Sequence, residues 1–236
     1  MFVRSIGLPN DAAGAAEVVG RALSRRSHDR IGVGEVSADG APGRPFLCHV
    51  GIGWDAALVE EVERLRDLPA RRARARKATV PLFVRAGLRT FAVGWDRRNP
   101  QLHVASDAGG DTLDADGSFT LVQNGDPYTF VGPMRLRVAP SADRHGPLSC
   151  VTLTRMTAPV FLRVAAQALG GGPSGDGVRP GRGVEVRHAV ETAVVTALTP
   201  GGVPYQVDGD HLGSAEVLRL THRPEALTVV AASGPT

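Results

Sequence analysis

Two aspartates separated by a single glycine, Asp208 and Asp210, are the residues whose types and spacing point most directly to chemistry. Glycine accepts positive φ without steric cost, so Asp208-Gly209 favours a tight turn with both carboxylates at its rim. A carboxylate placed there can take a proton from a substrate hydroxyl, or it can hold a metal ion. The alternative is a surface hairpin whose carboxylates face only water.

A second candidate site lies in the segment Gly-Ile-Gly-Trp-Asp-Ala, which contains Gly51, Gly53 and Asp55 and precedes a helical pattern. Two closely spaced glycines ahead of a helix can cradle a phosphate, and they can equally make a tight strand-to-helix turn. Asp55 directly precedes Ala56, so helix N-capping also explains it.

Asn124 and Asp143 are turn residues with a possible second use. Asn124 ends an apolar strand pattern and is followed by Gly-Asp-Pro, which ordinary turn chemistry explains. Asp143 opens the stretch Asp-Arg-His-Gly, where a polar turn between two strands is the simpler interpretation. The histidines show no metal-ligand spacing, so we assign them no catalytic role.

These residues must be positioned by a fold rich in turns. The 236 residues are enough to bury a sizeable core, and a hydrophobic share of 42% with 22% charged residues is typical of a globular chain. The sequence has 29 glycines and 17 prolines but only 5% aromatic residues, which favours many short strands. The composition therefore predicts a β-rich α+β fold.

Charge and cysteine content limit the possible partners. The formal net charge is +3 and the sequence pI is about 9.4, without a legible nucleic-acid-binding module. The densest charge is the basic run at residues 71–77, which is either a solvated face or a contact for anionic lipid headgroups. Cys48 and Cys150 are too few for a disulfide framework, so a reducing cytoplasm is expected. The sequence shows neither a signal peptide nor a membrane-spanning stretch, so any membrane contact is expected to be peripheral.

Hydrophobic periodicity and turn residues predict the elements that position the candidate site. Helices are predicted at 12–23, at 56–65, at 80–93 and at 158–169, and a glycine-rich surface loop at 170–183. Strands are predicted at 31–36, 46–50, 102–105, 119–124, 134–139, 151–153, 184–187, 193–198, 205–207, 217–220 and 227–230.

Four short motifs, taken in chain order, resemble the diacylglycerol kinase and sphingosine kinase family, in particular its bacterial lipid-kinase branch. Residues 2–9 are similar to the end of the family's Gly-Thr-Gly-Asn segment, and residues 51–56 resemble its Gly-x-Gly-[Phe/Trp]-Asp-Ala motif. Asn124, followed by Pro-Ser-Ala at 140–142, resembles its asparagine, loop and Pro-x-Ala arrangement. Val-Asp-Gly-Asp at 207–210 resembles its Val-Asp-Gly-Glu motif.

This resemblance implies a β-sandwich C-terminal domain of a lipid kinase with a few peripheral helices. The family's Gly-Gly-Asp-Gly-Thr nucleotide motif has no counterpart in the sequence, so the N-terminal α/β nucleotide lobe is expected to be largely missing. On this basis residues 1–30 are a remnant of the nucleotide-binding lobe, and residues 31–236 form the β-sandwich domain that binds lipid and supplies catalytic groups.

The resemblance also implies a reaction and its site residues. ATP and Mg²⁺ are the implied cofactors, and a lipid alcohol at the inner face of the membrane is the implied substrate of a cytoplasmic, peripheral protein. Aspartate in place of the family's glutamate shortens the reach of the base by one methylene group. The implied roles are general base for Asp210, its acidic partner for Asp208, cofactor binding for Gly51, Gly53, Asp55 and Asn124, and metal binding for Asp143.

Two other functions remain open from the sequence. One is a catalytically silent β-sandwich that binds lipid or a partner protein. The other is an unrelated all-β binding module in which Asp208 and Asp210 merely shape a turn.

Overall fold

Fourteen strands and four helices occupy the part of the chain that the computed structural model describes, residues 2–9, 11–67, 96, 98–108, 111–131, 134–170 and 177–230. The helices are α1 (Phe2–Ser5), α2 (Ala12–Ser24), α3 (Trp54–Asp67) and α4 (Ala158–Ala168). The strands are β1 (His28–Ala38), β2 (Arg44–Phe46), β3 (His49–Gly53), β4 (Leu102–Ala108), β5 (Asp111–Gly117), β6 (Phe119–Gln123), β7 (Thr129–Val131), β8 (Met134–Leu136), β9 (Leu148–Leu153), β10 (Glu185–Val190), β11 (Thr192–Ala197), β12 (Val203–Val207), β13 (Asp210–Ala215) and β14 (Val217–Val230).

Twelve of these strands form two antiparallel sheets of six strands each. The first sheet has the order β2-β1-β14-β11-β4-β5, and the second has the order β10-β9-β6-β3-β12-β13. The remaining pair, β7 and β8, forms a separate hairpin. The described residues therefore confirm the predicted β-rich α+β class.

The main core lies between the two sheets. Strand residues alternate between faces, so the inward side chains of each sheet meet those of the other. Each large apolar side chain buried there contributes about 1.5–3 kcal/mol. The first sheet contributes Val36, Phe46, Leu102, Val104, Leu113, Ala193, Val195, Leu218 and Leu220, and the second contributes Val50, Ile52, Val122, Leu148, Cys150, Val190, Val203, Val207 and Ala215.

A second core covers the outer face of the second sheet. Helices α3 and α4 pack there, and the Trp54 ring lies 6.4 Å from Phe119 and 5.1 Å from Phe161, measured between ring centroids. Strands β3, β6 and β9 are consequently buried at every position. Because both faces are covered, these strands do not show the alternation of a half-exposed sheet.

Three predicted helices are confirmed, as α2, α3 and α4. Asp11 caps α2, and its Oδ1 accepts a hydrogen bond of 2.7 Å from the backbone N–H of Gly14. Helix α4 covers the prediction at 158–169, and Pro159 lies in its first turn, where a missing backbone N–H costs nothing.

The strand predicted at 46–50 is wrong in its boundaries. Phe46 ends β2 in the first sheet, and β3 begins at His49 in the second sheet. Of the two glycines predicted to form a strand-to-helix turn, Gly51 lies inside β3, where it pairs with Leu121 of β6 and Gln206 of β12. A glycine is required at that central position because the first turn of α3 packs directly on it, as shown below. Gly53 does make the strand-to-helix turn, because it ends β3 with a φ of 85° directly before α3.

Three strands, β5, β7 and β13, were absent from the prediction, and one was split. Strand β5 carries three aspartates in seven residues, and β13 is short of apolar residues; each lies at an edge of its sheet. Edge strands commonly carry charge, which weakens the apolar pattern that marks a strand in sequence. The strands predicted at 217–220 and 227–230 are one strand, β14.

Some predicted elements lie outside the described residues. They are the basic run at 71–77 and the helix at 80–93. Of the loop predicted at 170–183, residues 171–176 also lie outside, whereas Val178 is buried against the second core. Within the described ranges, every helix is too short or too polar to cross a bilayer.

Candidate functional site

The turn at Asp208-Gly209 joins β12 to β13, as the sequence predicts. Both residues have positive φ, 52° for Asp208 and 99° for Gly209, which is the backbone of a tight hairpin turn. Asp208, Gly209 and Asp210 are all exposed. The hairpin therefore presents two carboxylates at an accessible end of the second sheet.

The Asp208 carboxylate binds the backbone where β3 begins. Its Oδ2 accepts a hydrogen bond of 2.9 Å from the N–H of Leu47, and its Oδ1 accepts bonds of 2.8 Å and 2.9 Å from Cys48 and His49. The backbone N–H of Asp208 also donates to the carbonyl of His49 at 2.9 Å. Both carboxylate oxygens are thus engaged in holding this segment.

Asp210 has different surroundings. Its side chain is 73% exposed, and its nearest charged partner is Arg44, whose Nη2 lies 3.4 Å from Oδ2. An exposed pair at this distance contributes little to stability. Of the two acids that the sequence sets side by side, Asp210 is the one whose carboxylate is accessible to a substrate.

A buried polar network ties the hairpin to the interior. Asp55 is only 3% exposed, and its carboxylate accepts hydrogen bonds from Tyr128 Oη at 2.5 Å and Gln206 Nε2 at 2.8 Å. Gln206 Oε1 in turn accepts the backbone N–H of Gly209 at 2.7 Å. The interpretation of Asp55 as a helix N-cap is wrong, because α3 begins at Trp54 and the carboxylate bonds to these side chains.

The network holds a carboxylate among neutral groups. Burial, and then the charge of Asp55, raise the pKa of Tyr128 well above its usual range, so the phenol stays protonated as a donor. The His49 ring packs on Tyr128 with 4.6 Å between centroids, and burial lowers the pKa of His49. His49 Nδ1 has no partner among the described residues. We infer that this network positions the hairpin.

Asn124 forms hydrogen bonds with the same backbone segment that Asp208 binds. Its Nδ2 donates to the carbonyls of Leu47 at 3.3 Å and Gly32 at 3.0 Å, and its backbone N–H donates to Cys48 at 2.9 Å. The side chain is completely buried. Asn124 and Asp208 therefore hold residues 47–49 from two sides, which accounts for Asn124 as a supporting residue of the hairpin.

Packing accounts for both glycines that the resemblance assigns to cofactor binding. A Cβ atom on Gly51 would lie 1.9 Å from Asp55 Oδ2 and 2.6 Å from Gln206 Nε2. Gly53 has a φ of 85°, and a Cβ there would lie 2.6 Å from the carbonyl oxygen of Ser118. A cofactor-binding role for Gly51, Gly53, Asp55 and Asn124 remains a prediction.

Asp143 forms an exposed pair with His145. Its Oδ1 lies 3.2 Å from His145 Nδ1, and His145 Nε2 lies 3.0 Å from Asp29. Burial opposes the change, but the hydrogen bonds from His145 lower the pKa of Asp143. The described residues contain no group of three or more His, Cys, Asp or Glu side chains that could hold a metal ion. This arrangement does not fit a Mg²⁺ site.

Both cysteines are free and buried. Burial, and then the nearby charge of Asp208, raise the pKa of Cys48 to about 11. Burial also raises the pKa of Cys150. Neither thiol is therefore a nucleophile at neutral pH.

We expect both thiols to resist modification in the folded protein. At pH 8, a pKa of about 11 for Cys48 leaves roughly a hundredfold less thiolate than the ordinary value of 9.0, and burial restricts access further. The reaction rate with Ellman's reagent should be lower by at least that factor than in denaturant, where both thiols react. Fast modification of either cysteine in the native protein would contradict the buried placement.

Sequence reasoning missed Tyr128, Gln206 and His49. Gln206 and His49 are polar residues inside apolar strand patterns, and that interruption is the signal that could have identified them. Because both faces of the second sheet are buried, a polar residue in its central strands needs an internal partner. Tyr128 follows the turn after Asn124 and gives no comparable signal in the sequence.

The described fold has similar proteins among solved structures. The sequence matches no protein-family model and no curated protein. Three proteins of Bacillus anthracis strain Sterne, each named as a diacylglycerol kinase, share the fold. Their TM-scores are 0.61, 0.58 and 0.55, with identities of 15%, 13% and 11% over 98%, 97% and 98% of this chain.

The chain spans less than two thirds of each of these structures. It covers 65%, 64% and 62% of their lengths. At this level of identity the comparison establishes the fold. The chain therefore has a kinase-like fold of the kind found in these proteins.

Proposed function

We propose that this chain is the lipid-binding and base-supplying part of an ATP-dependent lipid kinase of the diacylglycerol kinase type. The observation that carries the proposal is the exposed Asp210 carboxylate on a turn held by Asp208 and Gln206. The fold shared with proteins named as diacylglycerol kinases supports the same reaction class.

In this proposal Asp210 accepts the proton of a lipid hydroxyl as that oxygen attacks phosphorus. ATP supplies the transferred phosphoryl group, and the enzyme contributes mainly positioning and charge stabilisation. Asp208 keeps the turn in place through the backbone of residues 47–49, and Asp55 does so through Gln206. The charged group beside the proposed base is Arg44, whose Nη2 lies 3.4 Å from Asp210 Oδ2.

The proposed division of the chain follows from this assignment. Residues 1–30 belong to the nucleotide side, and residues 31–236 form the sandwich that meets lipid. The proposed setting is the cytoplasmic face of a membrane, with the substrate presented by the bilayer. The basic run at residues 71–77 remains a proposed contact with anionic headgroups.

The decisive variant is Asp210→Ala. Transfer of labelled phosphate from ATP to diacylglycerol in mixed micelles should fall about a hundredfold or more, which is the usual contribution of a positioned base. The matched control is Asp114→Ala, because Asp114 is 80% exposed on the opposite sheet. The control should keep full activity, and equal losses in both variants would contradict the assignment.

The second candidate is a catalytically silent sandwich that binds lipid or a partner. It is favoured by the engagement of both Asp208 oxygens with backbone amides and by the missing cluster of metal-ligating side chains in the described ranges. Retained diacylglycerol binding without phosphate transfer by the wild-type chain would establish this candidate in place of the kinase.

A further inference from the structure

The solvent-facing side of helix α4 is apolar along its whole length. Successive residues of a helix are turned by about 100°, so residues spaced by three and four lie on one face. Leu162 is 66% exposed and Leu169, just after the helix, is 47% exposed. The outward residues are Ala158, Pro159, Leu162, Ala165, Ala166 and Leu169.

The opposite side of α4 is apolar as well. Val160, Phe161 and Val164 pack on the second core. The two polar side chains of the helix are engaged at its flanks: Arg163 Nη2 donates to the carbonyl of Arg182 at 2.9 Å, and Gln167 Oε1 accepts from the backbone N–H of Arg179 at 3.4 Å. A helix that covers a core normally presents charged or polar residues to water, and α4 does not.

Arginines surround this apolar face. Arg155 precedes α4, and Arg179 and Arg182 lie in the segment that bonds to its flank; all three are exposed. Residues 127–184 contain seven arginines but only two acids, Asp143 and Asp176. Asp143 pairs with His145, and Asp176 lies outside the described residues. Its described residues therefore make this surface both apolar and positively charged.

We propose that this α4 surface, formed by the outward face of α4 with Arg155, Arg179 and Arg182, docks on a bilayer that contains anionic lipid. An apolar helix face enters the boundary between headgroups and acyl chains to a depth of about 5–10 Å. The arginines beside it then contact the negative headgroups, and each arginine raises the membrane-binding constant by a factor of about five. Leu162 and Leu169 are the residues that insert.

Charge argues against a second copy of the chain as the occupant. A two-fold contact places the same surface patch on both sides of the interface. Both sides of the interface would then carry Arg155, Arg179 and Arg182, so two positively charged patches would be brought together, and like charges at close range repel. An anionic bilayer matches the apolar face and the charge together.

The inference goes beyond the proposed function, because docking requires no phosphoryl transfer. Loss of vesicle binding and loss of transfer in the Asp210→Ala variant are separate measurements, so each proposal can fail alone. The α4 surface is also separate in sequence from the basic run at residues 71–77.

The test is cosedimentation of the full chain with phosphatidylcholine vesicles, with and without phosphatidylglycerol. The wild-type chain should bind the vesicles with phosphatidylglycerol more tightly. The double variant L162Q/L169Q should weaken that binding about tenfold or more, and R155Q/R182Q should weaken it by about fivefold for each arginine. Thermal unfolding of each variant should match the wild type, since all four residues are exposed.

Matched controls use exposed residues elsewhere on the molecule. L23Q/L198Q removes two leucines that are 52% and 45% exposed, and R219Q removes an exposed arginine of β14; these variants should bind as the wild type does. Unchanged binding in L162Q/L169Q, or an equal loss in the controls, overturns the proposal. It is also overturned if L162Q/L169Q dissociates a dimer in analytical ultracentrifugation without changing vesicle binding.

Discussion

Replacing Asp208 with alanine is expected to lower the free energy of unfolding by about 3 kcal/mol, while Asp210→Ala changes it by less than about 0.5 kcal/mol. The Asp208 carboxylate accepts hydrogen bonds from the backbone N–H groups of Leu47, Cys48 and His49. Hydrogen bonds to a charged group are the strong ones, and alanine leaves three donors without their acceptor. Asp210 makes one exposed contact with Arg44.

Urea denaturation followed by circular dichroism measures this difference. For a chain of this size, 3 kcal/mol corresponds to a fall in melting temperature of roughly 6–12 °C. Asp208→Asn should fall between the wild type and alanine, because asparagine tolerates the positive φ of 52° and keeps one acceptor oxygen. Equal stability of Asp208→Ala and Asp210→Ala would show that the carboxylate does not hold residues 47–49.

The second large effect is expected from Gly51→Ala, which should cost about 3 kcal/mol or more. The added methyl group would lie 1.9 Å from Asp55 Oδ2, which is shorter than any non-bonded contact allows. Asp55 would have to move, and it would then lose its bonds to Tyr128 and Gln206 within a buried site. Broken buried polar networks are costly because their groups have no water to replace the partner.

Gly20→Ala is the matched control for this substitution. A Cβ on Gly20 meets no atom within 4 Å, and the residue lies inside α2, so alanine should stabilise the protein by about 0.5–1 kcal/mol. Coupling provides a sharper test. In the Gly51→Ala/Asp55→Ala double variant the clash with the Asp55 carboxylate is gone, so its cost should be clearly smaller than the sum of the single variants. If the losses in unfolding free energy of the two single variants simply add in the double variant, the strain of Gly51→Ala does not arise from contact with Asp55.

Within the described residues, the accuracy of the strand predictions varies from strand to strand in both sheets. Strand β11 was predicted within one residue of its observed bounds, because the sheet has one covered face and the pattern alternates. Strand β3 is buried at every residue, so its glycines resembled a turn and its first two residues were assigned to the preceding strand. Strand β5 was missed because it lies at a sheet edge, where Asp114 and Asp116 are exposed and weaken its apolar pattern.

For the candidate site, local sequence predicts the turn but not the difference between its two acids. Asp208-Gly209 carries enough turn chemistry to be recognised alone. The partners of Asp208 lie 159–161 residues earlier in the chain, and they are backbone amides that no side-chain pattern reveals. Only the fold shows that Asp208 is engaged and Asp210 is accessible.

The segment held by Asp208 and Asn124 is also where the chain passes from one layer of the sandwich to the other. Phe46 ends a strand of the first sheet, and His49 starts a strand of the second, so Leu47 and Cys48 form the crossover. The hydrogen bonds of Asp208 and Asn124 to residues 47–49 therefore connect this crossover to the start of the acidic hairpin. A rotation of one layer against the other is therefore expected to displace the hairpin that carries Asp210.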